Sequence, residues 1–130
     1  MREQLNITLL YVEDDEDIRE ELSLYLGRRT KRFFAATNGA EALEILRIEK
    51  PDMILTDVQM PVMDGIELIR RVKAIDPKIP IIALTAFNAS DSRLEAIMEL
   101  GVSGCVGKPV ELAKLMHMIK VFLPDPGENG

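Results

Sequence analysis

Pro51-Asp52-Met53-Ile54-Leu55-Thr56-Asp57-Val58-Gln59-Met60-Pro61-Val62-Met63-Asp64-Gly65 is the stretch on which the fold of this chain turns. Its apolar run Met53-Ile54-Leu55 is bounded by Pro51 before it and by Pro61 and Asp64-Gly65 after it, which predicts a buried strand running into a loop. Asp57 then stands at the carboxyl end of that strand, the edge where open α/β sheets bind ligands. A carboxylate held there without a partner is costly, because an unpaired buried charge is expensive. On this segment alone, Asp57 is either a strand-ending cap or a group that does chemistry.

The same grammar recurs on both sides. Ile7-Thr8-Leu9-Leu10-Tyr11-Val12 is a near-continuous apolar run, as expected for a strand covered on both faces, and it ends in Glu13-Asp14-Asp15. A helix follows with Ile18, Leu22 and Leu26 on one face. Arg32-Phe33-Phe34-Ala35-Ala36 predicts a weaker strand, and Asn38-Gly39 turns into a helix carrying Ala40, Leu43 and Leu46 that stops before Pro51. Downstream, Gly65 opens a helix with Leu68, Ile69, Val72 and Ile75 facing inward. Ile81-Ile82-Ala83-Leu84 is a strand ending at Thr85, and the next helix carries Leu94, Ile97 and Met98 and ends at Gly101, a left-handed cap. A short strand around Cys105-Val106 ends at Lys108-Pro109, before a last helix with Leu112, Leu115, Ile119 and Phe122.

Strands alternating with helices imply a parallel sheet with right-handed crossovers and helices on both faces. Glu13, Asp14, Asp57, Thr85 and Lys108 then all lie at carboxyl ends of strands. Convergence of five polar groups on one edge is hard to ascribe to chance.

Composition narrows the function classes. At 130 residues the chain has the size of one domain, and 47% apolar with 5% aromatic residues suits an aliphatic core. A formal charge of -6 without a basic stripe argues against direct nucleic-acid binding. One cysteine excludes an internal disulfide and a multi-thiolate metal site, as suits a reducing compartment. No signal peptide is expected at Met1-Arg2-Glu3-Gln4-Leu5-Asn6, and no run approaches the roughly 20 apolar residues of a membrane span. A cytoplasmic protein without a membrane partner is expected.

The polar edge suggests its own chemistry. Three carboxylates from two strands are hard oxygen donors of the kind that hold Mg²⁺. Neither His nor Cys is predicted on the edge, which removes Ser-His-Asp and Cys-His nucleophilic catalysis. Carboxylate attack on phosphorus remains. Asp57 would be the nucleophile, Mg²⁺ would neutralise phosphoryl oxygens, and Thr85 and Lys108 would bind those left free.

The motifs Leu9-Leu10-Tyr11-Val12-Glu13-Asp14-Asp15, Thr56-Asp57-Val58-Gln59-Met60-Pro61-Val62-Met63-Asp64-Gly65, Leu84-Thr85-Ala86 and Gly107-Lys108-Pro109, in this order and spacing, resemble the receiver domains of two-component response regulators. The resemblance implies a flavodoxin-like three-layer sandwich, with a five-stranded parallel sheet of order 2-1-3-4-5 and five helices. It implies that Asp57 accepts a phosphoryl group from a phosphohistidine on a sensor histidine kinase or histidine phosphotransfer protein. By the same resemblance Mg²⁺ is held by Glu13, Asp14, Asp57 and the main-chain carbonyl of Gln59, while Thr85 and Lys108 contact the phosphoryl oxygens. Lys108-Pro109 is expected to be cis. The domain would catalyse its own phosphorylation and dephosphorylation and switch binding to a downstream effector domain or protein. A phosphatase of the haloacid-dehalogenase type also uses an aspartyl nucleophile, but needs a second Asp two residues later, where this chain has Gln59.

Other residues take simpler roles. Asp15 is expected to cap the first helix, and Asp64-Gly65 to shape a loop and start a helix. His117 is a surface residue. Cys105 departs from the family, whose members usually place Tyr or Phe three residues before the lysine as a moving ring; here a small buried thiol is expected. Gln59 and Phe87 are expected beside the path of the hydrolytic water, and the 86–92 loop is expected to move on phosphorylation. The receiver unit is expected to span 7–123, with 124–130 a linker-like tail.

Overall fold

The computed structural model describes residues 4–59, 63–86 and 92–124. Strands and helices alternate as β1 (Leu5–Val12), α1 (Glu16–Gly27), β2 (Thr30–Ala36), α2 (Gly39–Glu49), β3 (Met53–Asp57), α3 (Gly65–Ile75), β4 (Ile81–Thr85), α4 (Ser92–Glu99), β5 (Gly104–Gly107) and α5 (Leu112–Val121). All pairings are parallel, and the strand order is β2-β1-β3-β4-β5. This is the flavodoxin-like architecture expected from the motifs. β1 begins at Leu5 and β2 at Thr30, two residues earlier in each case than the apolar runs suggest. The added residues pair with each other, Leu5 with Thr30, so the ladder extends beyond the hydrophobic stretch.

Side-chain alternation along the strands divides the core into two layers. Leu10, Val12, Ile54, Ile81 and Ala83 pack beneath α2, α3 and α4, with Leu43, Leu46, Leu68, Ile69, Val72 and Ile97. Leu9, Tyr11, Met53, Leu55, Ile82, Leu84 and Val106 pack against α1 and α5, with Leu22, Leu26, Leu115 and Ile119. β3 is buried at all five positions, which explains its unbroken apolar reading. Each fully buried Leu or Ile contributes about 1.5–3 kcal/mol relative to exposure.

The helical period identifies the inward faces, but several terminal members escape. Ile18 at the start of α1 is 42% exposed, Ile75 at the end of α3 is 54% and Leu112 at the start of α5 is 39%. These positions lie in the first or last turn, where the helix overhangs the sheet. Ala40 is likewise exposed in the first turn of α2, and Met98 is exposed near the end of α4. Capping follows the sequence closely. Asp15, Asn38 and Asp64 accept from the amides of Ile18, Glu41 and Glu67. α4 ends at Glu99, and Gly101 adopts φ +91°, the left-handed region that glycine enters without strain. Met60, Pro61 and Val62, the residues 87–91 including Phe87, and the tail from Asp125 lie outside the described residues.

Gly65 does more than start a helix. Its amide donates to the Val58 carbonyl at 2.8 Å, and a Cβ here would stand 2.5 Å from both Asp57 O and Val58 Cα. Both obstructions are main chain at the end of β3, so relief requires moving the strand end. At Gly39 the nearest atoms to an added Cβ are Met63 Sδ at 2.8 Å and Met63 Cβ and Cγ at 3.0 Å; the sulfur can swing away and the carbons need give by only a few tenths of an ångström. Gly65→Ala should therefore destabilise the protein by about 3 kcal/mol in urea unfolding. Gly39→Ala should change stability by under about 1 kcal/mol. Equal effects of the two substitutions would refute the close approach at Gly65.

Candidate functional site

The site is assembled by strand ends. Val12 pairs with Thr56, Asp57 with Leu84, and Thr85 with Gly107, so β1, β3, β4 and β5 finish nearly level. Alternation places Tyr11 on the α1–α5 side of β1 and Met53 and Leu55 on that side of β3. Glu13 and Asp57 continue those two series and meet. Both are buried, at 1% and 3% exposure, whereas Asp14 on the next residue is exposed. One carboxylate oxygen from each of Glu13, Asp14 and Asp57 lies within 4.8 Å of the others.

Lys108 reaches this cluster from the end of β5. Its Nζ is 2.9 Å from Asp57 Oδ2 and 3.2 Å from Glu13 Oε1. The Lys108 amide also donates to the Thr85 carbonyl at 2.9 Å, tying the ends of β4 and β5 together. Thr85 itself is buried at 2% exposure. The Lys108-Pro109 bond is cis. Gln59 follows Asp57 into the loop; its amide donates to Asp57 Oδ1 at 3.3 Å and its side chain is exposed.

The electrostatics follow from burial. Burial first, and the neighbouring Asp57 charge second, push the Glu13 carboxyl up to about 7 against the opposing pull of Lys108. Burial works to lower the Lys108 ammonium, but its bond to Asp57 and the charges of Asp57 and Glu13 outweigh it and raise its pKa. The ammonium therefore stays charged.

Two residues had no part in the sequence reading of the site. The Tyr11 hydroxyl donates to Glu13 Oε1 at 3.4 Å, and burial followed by the Glu13 charge raises its pKa far above the usual phenol value. The signal was present, since residues two apart on a strand share a face. Arg19 Nη1 donates to the main-chain carbonyls of Glu13 at 3.0 Å and Asp14 at 3.4 Å. Nothing in the sequence separates this arginine from an ordinary charge on a helix surface.

Cys105 is half-buried on the α4 side of β5, with Sγ 3.4 Å from Met98 Sδ, and burial raises its thiol pKa. A protonated packing thiol fits this setting. His117 is exposed on α5, as expected. Among the described residues no helix is long and apolar enough to cross a membrane.

Among the described residues the cluster offers hard oxygen donors, one of them exposed, and the ammonium of Lys108 is the neutralising side chain in contact with it. Such a set suits Mg²⁺, which binds through a few carboxylates and keeps several waters.

Comparison with known proteins agrees with this geometry. Residues 9–120 match the response regulator receiver domain family. Sporulation initiation phosphotransferase F of Bacillus subtilis is 36% identical over 120 residues, covering 92% of this chain and 96% of that protein. Transcriptional regulatory protein AfsQ1 of Streptomyces coelicolor is 41% identical over 116 residues, covering 89% of this chain; the chain spans about half (51%) of that regulator's length. The structure of Vibrio cholerae chemotaxis protein CheY4 superposes with a TM-score of 0.82 at 28% identity, covering 91% of this chain and 99% of that one. With its sheet order, its acidic strand ends and its lysine in place, the chain belongs to the receiver domains of two-component response regulators.

Proposed function

We propose that Asp57 is the phosphoacceptor of this receiver and that Glu13, Asp14, Asp57 and the main-chain carbonyl of Gln59 hold Mg²⁺. The observation that carries this is the 4.8 Å cluster of carboxylates with Lys108 2.9 Å from Asp57. An Asp57 oxygen attacks the phosphorus of a phosphohistidine on a sensor histidine kinase or phosphotransfer protein. The O–P bond forms as the P–N bond breaks, and the electron pair leaves with the imidazole nitrogen, which takes up a proton. Lys108 exchanges its contact with the Asp57 carboxylate for a phosphoryl oxygen, and the Thr85 hydroxyl donates to another. Bound Mg²⁺ supplies charge neutralisation at the phosphoryl oxygens. Hydrolysis of the acyl phosphate resets the switch, so the domain catalyses both its own phosphorylation and its own dephosphorylation.

A groove of about 360 Å³ beside the site supports a docking partner. Ile18, Leu22, Tyr25, Pro109, Val110 and Leu112 line it together with the charged Glu21 and Lys108. The apolar face of a helix bearing the phosphohistidine, laid there, would bring the donor to the strand ends. This use also gives the exposed Ile18 and Leu112 a partner. Phosphorylation then alters binding to a downstream effector domain or protein. The receiver unit spans 7–123, and 124–130 is a linker-like tail.

With a small phosphodonor such as acetyl phosphate and Mg²⁺, intact-protein mass spectrometry should show one added phosphoryl group, removed by hydroxylamine. Asp57→Asn should gain none. Full labelling of Asp57→Asn would reject Asp57 as the acceptor.

Stability should report the same cluster. Glu13 has a folded-state pKa raised from 4.5 to about 7, so the folded state holds its proton more tightly than the unfolded one. The stabilising contribution is complete below the unfolded value and is lost as pH rises through about 7. In EDTA, wild-type stability should fall between about pH 5 and about pH 8. Glu13→Gln should flatten that fall, since Lys108 keeps its 2.9 Å contact with Asp57. Mg²⁺ at ten times its dissociation constant should add about 1.4 kcal/mol to the wild type at the upper pH. Identical pH profiles for wild type and Glu13→Gln in EDTA would remove Glu13 from the acid cluster.

A further inference from the structure

We infer that Arg19 is a positioning residue for the cation site, locking the main chain from which Glu13 and Asp14 hang. This assignment rests on the metal-binding role proposed for those carboxylates. The turn between β1 and α1 carries two of the three acidic residues. Glu13 is well anchored: its amide donates to Ala36 O at 3.1 Å, and its carboxylate meets Tyr11, Lys108 and the Asp15 amide. Asp14 is different. It is exposed, and its hydrogen bonding among the described residues runs through its main-chain carbonyl, which accepts from Arg19 Nη1.

The same Nη1 reaches the Glu13 carbonyl at 3.0 Å, so one nitrogen pins two successive peptide groups. Arg19 is itself anchored by its amide to the Asp15 carbonyl at 2.9 Å, in the first turn of α1. Asp15 in turn accepts from the Ile18 amide at 3.0 Å as the helix cap. The helix start and the guanidinium therefore both hold the turn. With the peptide planes held, the directions open to the Asp14 carboxylate are restricted before any cation arrives. Preorganisation of this kind raises metal affinity, because less ordering remains to be done on binding.

Charge and geometry act in opposite directions here, which makes the assignment decidable. A guanidinium is always protonated, so as a bare charge near three carboxylates it weakens cation binding. Removing it should tighten binding if charge is all that matters. As a clamp it strengthens binding, and removing it should weaken binding.

The test is Mn²⁺ titration of the full chain, followed through the electron paramagnetic resonance of the free aqua ion. Wild type, Arg19→Ala, Arg19→Gln and Asp14→Asn would be compared, with urea unfolding in EDTA confirming that each is folded. Arg19→Ala should weaken Mn²⁺ binding about tenfold, towards the loss expected for Asp14→Asn. Arg19→Gln, which keeps one amide donor without the charge, should fall between Arg19→Ala and wild type, and it carries the test alone should the alanine variant not fold. Unchanged or tighter binding in the folded Arg19 variants would overturn the clamp while leaving the metal site standing. Wild type without saturable Mn²⁺ binding would overturn the metal site and the clamp together.

Discussion

Two carboxylates withdrawn from water at the ends of adjacent parallel strands, Glu13 and Asp57, share the ammonium of Lys108, at 3.2 and 2.9 Å. At an effective dielectric of about 20, each contact is an attraction of about 5 kcal/mol. Taking an ion out of water costs several kcal/mol, and three ions are partly or wholly buried here, two of them mutually repelling. One cation does not balance that set. The deficit appears as the Glu13 pKa of about 7, raised first by burial and second by the Asp57 charge, against the pull of Lys108. A divalent cation or the rearrangement of Lys108 onto a phosphoryl group would each relieve a different part of it. The site is therefore poised between protein-only pairing and ligand binding, and its stability depends on what occupies it.

The remainder of the structure holds that deficit in place. A parallel sheet with helices on both faces brings its strand ends to one edge, and β1 and β3 must be neighbours for Glu13 and Asp57 to meet. Their common side-chain direction follows from alternation along the two strands. Gly65 lets the start of α3 approach the end of β3 at a distance that no other residue allows without displacing the strand. Fully buried Leu9, Leu10, Ile54, Leu55, Ile81 and Ile82 beneath the edge resist such displacement.

Cys105 bears on how the site is connected to the outer face. An aromatic side chain carries 150–250 Å² of burial, and its movement can separate two states by several kcal/mol. Cys105 is small, half-buried and in contact with Met98 on α4. Comparable apolar area is not available at this position. The ends of β4 and β5 are tied instead by main-chain and polar contacts, among them the Lys108 amide to the Thr85 carbonyl at 2.9 Å.

Much of this was legible in the chain itself, because the determinants are local. Proline- and glycine-bounded apolar runs mark β3 and β4, and Asp15, Asn38 and Asp64 announce helix starts through side-chain oxygens that satisfy nearby amides. Once strands alternate with helices, the polar residues ending each strand must share an edge, so the sequence by itself groups Glu13, Asp14, Asp57, Thr85 and Lys108. Helical periodicity tells which way Ile18, Ile75 and Leu112 face, but not how far the sheet extends beneath them, and all three are exposed. Which carboxylate carries the electrostatic burden was likewise undetermined, since it depends on the depth of Glu13 and the reach of Lys108 across the sheet. The grip of Arg19 on two carbonyls and the contact of Gly65 with the main chain at Asp57 and Val58 arise between segments that meet only after folding. Composition and spacing record what each residue can do; the packed sheet decides which groups come close enough to do it.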